Sequence, residues 1–569
     1  MLTKPVANVM RGHSSWVLTA IFLHAPVPAP AASPHPVRAG HAMVASAERV
    51  ATQVGVETLK AGGNAVDAAC AVGFTLAVTY PQAGNLGGGG FSVVRTADGS
   101  VYAIDYRETA PLSASRDMYL DAHGDADDSL SREGYRAAGV PGTVAGLFEL
   151  HRKLGKLPFA QLIAPALKLA ADGFAVAYSL KSSLEEERPL LGKFPESRSL
   201  FYRGGEGYGE GELLRQPALA ATLARIQRDG PVSFYDGDVS REIVRAVAAG
   251  GGIITLEDLK TYKPVWRDPV RFTYRGREIY SMPPPSSGGI ILAQVLNMAE
   301  TQNLTSMGFH SSRAIHFMAE AMRRSFRDRA ILLGDPDFVR VDTEKLISKE
   351  YAAEVARNIN AAQATPSGTV GVTIPEAAQT THYCVVDAQG NAVATTYTLN
   401  GSYGCGRMAA GFLLNNEMDD FSAKPGHPNM YGLVGSEANA IEPRKRMLSS
   451  MAPTIVVQDG KLQGVLGTPG GSTIPTTVVQ VLTNLIDFGL DIQESVDAPR
   501  YHHQYLPDQI SVETNCVAAD VIAALESMGH KVVIDDEVWG DVQAIWFDRE
   551  LGIWVGASDS RRWGTTAGY

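Results

Sequence analysis

The sequence predicts one large layered α/β body, and three observations carry that prediction. The C-terminal third alternates strand hairpins with helices, the N-terminal region opens on a helix pair followed by a hairpin, and no Gly/Ser-rich or charged linker divides the chain. At 569 residues the length alone would accommodate several domains at ~150 residues each. The missing linker argues against that division. The one seam is a change of texture near residue 380, from helical to strand-rich.

Taken in order, "MVASAERVATQVGVETLKAGGNAVDAACAVGFTLAVTYPQAG" reads as two helices. Ser46 is placed to cap the first, Gly62 and Gly63 to stop it, Asn64 to cap the second, and Pro81 lies past its end. "FSVVRTADGSVYAIDYRE" then reads as a hairpin about an Asp-Gly turn. The stretch from 145 to 375 is mostly helical in pattern, with "AIHFMAEAMRRSFRDRAILLGD" its clearest amphipathic segment and "MPPPSSGG" a rigid interruption. Beyond 380, "THYCVVDAQGNAVATTYTLN" and "PTIVVQDGKLQGVLGTPGG" predict hairpins turning at Gln389-Gly390 and Asp459-Gly460. "STIPTTVVQVLTNLIDFGL" predicts a helix capped by Ser472 with Pro475 in its first turn, followed by a helix near 518–528 and a last hairpin, "QAIWFDRELGIWVGASD".

Composition narrows the function. Hydrophobic content of 45% with 20% charged residues is that of a folded globular protein. A net charge of −11, without a basic stripe interleaved with aromatics, excludes nucleic acid as a partner. Four scattered cysteines, Cys70, Cys384, Cys405 and Cys516, form neither a disulfide framework nor a zinc motif, and no segment after the leader has the ~20 apolar residues of a spanning helix. Lys4 and Arg11 precede the apolar run "WVLTAIFL" and small residues near Ala29 and Ala31. Residues 1–32 therefore read as a secretory leader, and the expected location is periplasmic or secreted.

The glycine clusters "NLGGGGF", "GGEGYGEGE" and "AGGGGII" lack the form of a phosphate loop and read as turns or close-packing sites. Adjacent His502 and His503 point in different directions on any regular element, so no metal or cofactor is implied. "GTPGGS", at 467–472, falls between a strand and a helix start, where unpaired backbone N–H groups can hold an anion; the plain reading is a connecting loop. Arg107, Asn400, Glu417, Asp420, Ser449 and Ser450 are residue types that suit a zwitterionic amino-acid head group. In "AAQTTHYC" the Thr-Thr pair is, taken alone, ordinary strand sequence.

Together, "GGNAVDAA", "PQAGNLGGGGF", "DYRETAP", "SMPPPSSGG", "TTHY", "NNEMDDFSAKPG", "LSSMAPTIV" and "PGGS" resemble, in the same order, the motifs of the γ-glutamyltranspeptidase family of N-terminal nucleophile hydrolases. The resemblance runs from about "HPVRAGHAMVAS" to the terminal "TAGY". It implies a four-layered αββα sandwich and a precursor that cuts itself between Gln379 and Thr380, giving a large subunit, 33–379, and a small catalytic one, 380–569. It further implies that Thr380 is the nucleophile, that Thr398 orients its amino group, and that Gly470 and Gly471 stabilise the oxyanion. Arg107, Ser449 and Ser450 would take the α-carboxylate, Asn400, Glu417 and Asp420 the α-ammonium, and Tyr431 would close the pocket as part of a lid. Glu417 stands where some members carry glutamine, and "ASDSRRWGTTAGY" departs from the family's usual Ser-Asp-Pro-Arg.

The activity this implies is γ-glutamyl transfer and glutathione hydrolysis without a cofactor. Glutathione and other γ-glutamyl compounds would be donors, and water, amino acids or dipeptides acceptors. Two rival readings are a glutaryl-type β-lactam acylase of the same fold, which needs no ammonium site, and an amino-acid binding protein that never matures.

Overall fold

A computed structural model describes residues 34–368 and 380–569. Its centre is a pair of seven-stranded antiparallel sheets. The first runs, edge to edge, Thr565–Gly568, Met43–Ser46, Thr380–Val386, Ala392–Thr398, Gly89–Arg95, Val101–Asp105 and Val265–Arg267. The second runs Val37–Ala39, Ile553–Ser558, Gln543–Asp548, Lys461–Gly467, Thr454–Gln458, Arg277–Ser281 and Val270–Tyr274.

Side-chain alternation along the strands shows how these sheets are layered. On Thr380–Val386, Tyr383 and Val385 join a core shared with the helices Ala65–Thr79, Thr143–Leu154 and Phe159–Asp172. Cys384 and Val386 face the other way, into a core shared with Ile455, Val465 and Ile545 of the second sheet. That second sheet is covered in turn by Gly288–Glu300, Ser312–Leu332 and Ile474–Ile486. The order is helices, sheet, sheet, helices. An antiparallel sheet commonly leaves one face wet, but here every residue of Thr380–Val386 and Ala392–Thr398 is buried, so a residue at the end of either strand sits deep in the body.

Two local expectations are corrected, and a third, which holds, gains a detail. Ser46 does not cap the first helix: "MVAS" is a strand paired with the C-terminal strand, and Glu48 caps Arg49–Lys60 by accepting from the N–H groups of Val50 and Ala51. The stretch 145–375 contains a hairpin, Val270–Tyr274 with Arg277–Ser281, whose tight turn has Arg275 and Gly276 at φ 46° and 76°. Ser472 does not cap the next helix, because Gly471–Thr473 form a 3₁₀ turn and the α-helix begins at Ile474, with Pro475 in its first turn as expected. The other capping expectation holds, since Asn64 and Asp67 form a reciprocal capping box.

Candidate active site

Thr380 is the first residue of a central strand, and antiparallel register places it opposite Thr398, which lies in turn opposite Gly89. The Thr380 hydroxyl donates to the Thr398 hydroxyl at 3.2 Å, and the latter also accepts from the Asn400 N–H at 2.8 Å. Asn85 holds the same residue from behind, donating to the Thr398 carbonyl at 2.9 Å while its own oxygen accepts from Gly88 N–H and the Thr143 hydroxyl. The close approach explains the glycine run: a Cβ on Gly88 would lie 2.0 Å from the Thr398 carbonyl oxygen. Sequence reasoning missed Asn85, although it opens the "NLGGGGF" cluster.

His382, two residues on, is not a base for this hydroxyl. Its Nδ1 is 2.8 Å from the Thr396 hydroxyl and its Nε2 3.2 Å from the Cys384 sulfur, between the sheets, and burial pushes its pKa down to about 3. Thr381 lies across from Tyr397 as a buried strand residue.

Gly470 and Gly471 follow the strand Lys461–Gly467 at φ 137° and 53°, and among the described hydrogen bonds neither N–H has an acceptor. The turn is held instead through the Gly470 carbonyl, which accepts from the N–H and hydroxyl of Thr473. Backbone donors left without acceptors at the start of a helix are groups that can stabilise an anion. Side chains are excluded here on two counts: the positive φ values, and the ring of Tyr431, which a Cβ on Gly471 would meet at 2.5 Å. The Tyr431 hydroxyl donates to the Asn400 carbonyl at 2.7 Å, and its carbonyl accepts from Gln504 at 3.1 Å, so the ring is fastened over the glycine turn.

Two cavities meet at Thr380. One, of 20 Å³, is lined among others by Arg107, Asp420, Ser449, Ser450, Asn400 and Gly471. Within it Arg107 is fully buried and paired with Glu417 at 2.5 Å and with Asp420, while Asn429 donates to the other Asp420 oxygen. Burial opposes the Arg107 charge, but Glu417 and Asp420 outweigh it and hold the guanidinium charged. Burial also drives Glu108 up to about 8 and Glu417 well above the ordinary carboxylate range, with Arg107 opposing both. Glu417 does not line the cavity and stands behind Arg107 as its partner.

A second guanidinium, Arg329, was not foreseen. It lines the same cavity from the helix Ser312–Leu332, donates to the Ser287 hydroxyl at 3.2 Å, and burial lowers its pKa to about 10, leaving it charged at neutrality. The amphipathic pattern of its helix marked it only as one of several arginines. The other cavity, of 320 Å³, reaches Thr380 past Tyr80, Glu187, Gly470, Asp541 and Arg562. Gly471 thus lines one cavity and Gly470 the other, and Thr380 lines both.

Gln379, the other half of the expected scissile bond, and the leader, 1–32, lie outside the described residues. Among the described residues no cluster of His, Cys, Asp or Glu is placed to hold a metal ion, and no helix is long and apolar enough to cross a membrane.

The chain is similar to known proteins over nearly its whole length. The family model "Gamma-glutamyltranspeptidase" matches residues 51–569. The glutathione hydrolase proenzyme of Escherichia coli strain K12 is 50% identical over 544 residues, covering 94% of this chain and 93% of the relative. Among solved structures, the cephalosporin acylase from Bacillus halodurans superposes with a TM-score of 0.84 at 28% identity, covering 99% of both chains. The Helicobacter pylori γ-glutamyltranspeptidase gives 0.56 at 46% identity over 56% of this chain and 92% of its own. The chain belongs to the γ-glutamyltranspeptidase family.

Proposed function

We propose that Thr380 is the nucleophile of an autoprocessing γ-glutamyltransferase and glutathione hydrolase, and that the remaining residues act around it as follows. The observation that carries this reading is the Thr380 hydroxyl itself. It is bonded only to Thr398 among the described residues, flanked by the glycine turn, and out of reach of the one nearby histidine. Such a hydroxyl needs a base, and the α-amine of the same residue supplies one once residue 379 is removed, with an ordinary pKa of ~7.7–8.0.

In the precursor, the Thr380 oxygen attacks the Gln379 carbonyl carbon. The C–N bond breaks, the nitrogen takes up the hydroxyl proton, and the resulting ester is hydrolysed by water, leaving a carboxylate on Gln379 and a free amine on Thr380. This yields subunits 33–379 and 380–569 of one body. In turnover the same oxygen attacks the γ-carbonyl of the donor while the amine takes its proton, and the N–H groups of Gly470 and Gly471 stabilise the oxyanion. The amine then protonates the departing nitrogen. Water or an acceptor amine attacks the ester, the C–O bond breaks, and the attacking group's proton returns through the amine to the Thr380 oxygen.

The buried charges explain selectivity for a zwitterion. A lone anion would have to break the Arg107–Asp420 pair at a cost of several kcal/mol. A γ-glutamyl head group replaces both partners at once: its α-carboxylate takes Arg107 with Ser449 and Ser450, and its α-ammonium takes Asp420 and the Asn400 oxygen, with Glu417 balancing Arg107 from behind. Tyr431 closes the pocket. A glutaryl group lacks the ammonium and would leave Asp420 unpaired. Comparing kcat/KM for γ-glutamyl and glutaryl anilides tests the reading. Preference for the γ-glutamyl anilide by ~100-fold or more is expected; equal rates, or a glutaryl preference, would make the enzyme an acylase. The leader supports export to the periplasm or medium, which N-terminal sequencing of the native large subunit checks.

A further inference from the structure

The 320 Å³ cavity on the far side of Thr380 holds none of the residues assigned to the donor's head group, yet its size falls within the ~300–1,000 Å³ of small-ligand sites. Its two cations differ. Arg561 is committed, donating to Asp559 at 2.8 and 3.0 Å, to Glu513 at 2.7 Å and to the Val496 carbonyl at 2.9 Å. Arg562 donates from Nε to the Gly540 carbonyl at 3.3 Å and from Nη2 to the Val538 carbonyl at 2.6 Å, and no carboxylate forms an ion pair with it among the described residues. Two of its five N–H donors are thus used to hold it at the cavity wall, and its charge reaches Asp541 and Glu537 without a direct contact to either.

The other charges there are acidic: Glu186, Glu187, Glu537 and Asp541. Burial lifts Glu187 and Asp541 up to about 7, with Glu186 and Asp559 reinforcing the respective shifts, so neither is fully ionised at neutrality. A ligand with an amine at the acyl centre and a carboxylate further out meets carboxylates that attract the first and repel the second. Arg562 is the one uncommitted cation in the lining.

We propose that this cavity receives the amine half of the reaction, and that Arg562 binds the carboxylate of the amino acid or short peptide that leaves the donor or arrives as acceptor. This rests on the γ-glutamyl transfer reading. It extends that reading to the part of the ligand that varies, since a terminal carboxylate is common to such amines whatever their side chains. The residue directly follows "SDSR", in which Ser560 stands where the family's usual pattern has proline.

The test compares wild type with R562Q and R562K, each first shown by gel to have matured into two subunits. One ratio is kcat/KM for glutathione over kcat/KM for γ-glutamyl-p-nitroanilide, whose leaving amine has no carboxylate. The second is the rate of transfer to glycylglycine over that to glycylglycinamide. R562Q should lower both ratios about tenfold, and R562K should restore most of the loss, as expected for a charge-assisted contact at a site open to water. Unchanged ratios in R562Q, or equal losses on every substrate in both variants, would overturn the proposal. Failure of the mature wild type to cleave the anilide would instead overturn the γ-glutamyl reading on which it rests.

Discussion

The two cavities that share Thr380 are built on opposite principles. On one side Arg107, Glu417 and Asp420 are buried and already paired, Tyr431 is fastened over the turn, and only 20 Å³ is open. On the other, 320 Å³ is open, with an arginine that forms no ion pair among the described residues and acids shifted toward neutrality. A site preassembled from compensated charges recognises one head group, because a mismatched ligand leaves a buried charge unpaired. An open site with one free cation accepts a class of amines. On the proposed reading, the difference predicts strictness toward the acyl group and permissiveness toward what carries it away.

The largest expected effect breaks the first side alone. R107Q removes one partner of a buried pair and should lower kcat/KM for every γ-glutamyl substrate by ~100–1,000-fold, corresponding to ~2.7–4.1 kcal/mol, whatever the leaving group. Steady-state kinetics on glutathione and on γ-glutamyl-p-nitroanilide checks this; a loss confined to one of them would erase the distinction between the cavities. A smaller effect is expected at the partition. G471A places a Cβ against the Tyr431 ring at a left-handed position and should lower kcat by about 100-fold by displacing an oxyanion donor. Pairing it with Y431A sharpens the point, because removing the ring should recover part of the loss if the clash is the cause.

The smallest effect separates the site from the frame behind it. His382, His502 and His503 are buried neutral, pushed by desolvation to about 3, 4 and 4 against ~6.5 in the unfolded chain. The unfolded chain therefore binds protons that the folded one refuses, so their stabilising contribution, complete above ~6.5, is lost as pH falls toward 4. Glu108, Glu187 and Asp541, lifted to about 8, 7 and 7, act in the opposite sense over the same range, so calorimetry reads the histidine part as a difference: the wild-type Tm should fall more between pH 7 and 5 than that of H502Q. Turnover should decline earlier, from about pH 8 downward, as the Thr380 amine is protonated.

Much of this was legible in the sequence where local chemistry governs. The turn at Gln389-Gly390 defines a hairpin whose register brings Thr380 against Thr398, and Asp459-Gly460 delivers the strand Lys461–Gly467 that leads into Gly470 and Gly471. Long-range features were not. Ser46 reads as a helix cap until the C-terminal strand claims its segment for a sheet. Arg275-Gly276 makes a tight turn that an otherwise helical neighbourhood concealed. Asn85 and Arg329 serve the site through contacts distant in the chain, 313 residues for Asn85 with Thr398 and 42 for Arg329 with Ser287, which no local spacing reports. Glu417 carries the right chemistry for an ammonium, and only the structure places it behind the guanidinium.

The central claim is that a freed α-amine on Thr380 is the base for its own hydroxyl. Intact mass and N-terminal sequencing of the purified protein, followed by γ-glutamyl-p-nitroanilide turnover on the same sample and on T380A, test it most directly. Two chains with the smaller starting at Thr380, activity that appears in step with scission, and an uncut, inactive T380A are predicted. Full turnover by a single uncut chain, or by T380A, would contradict it.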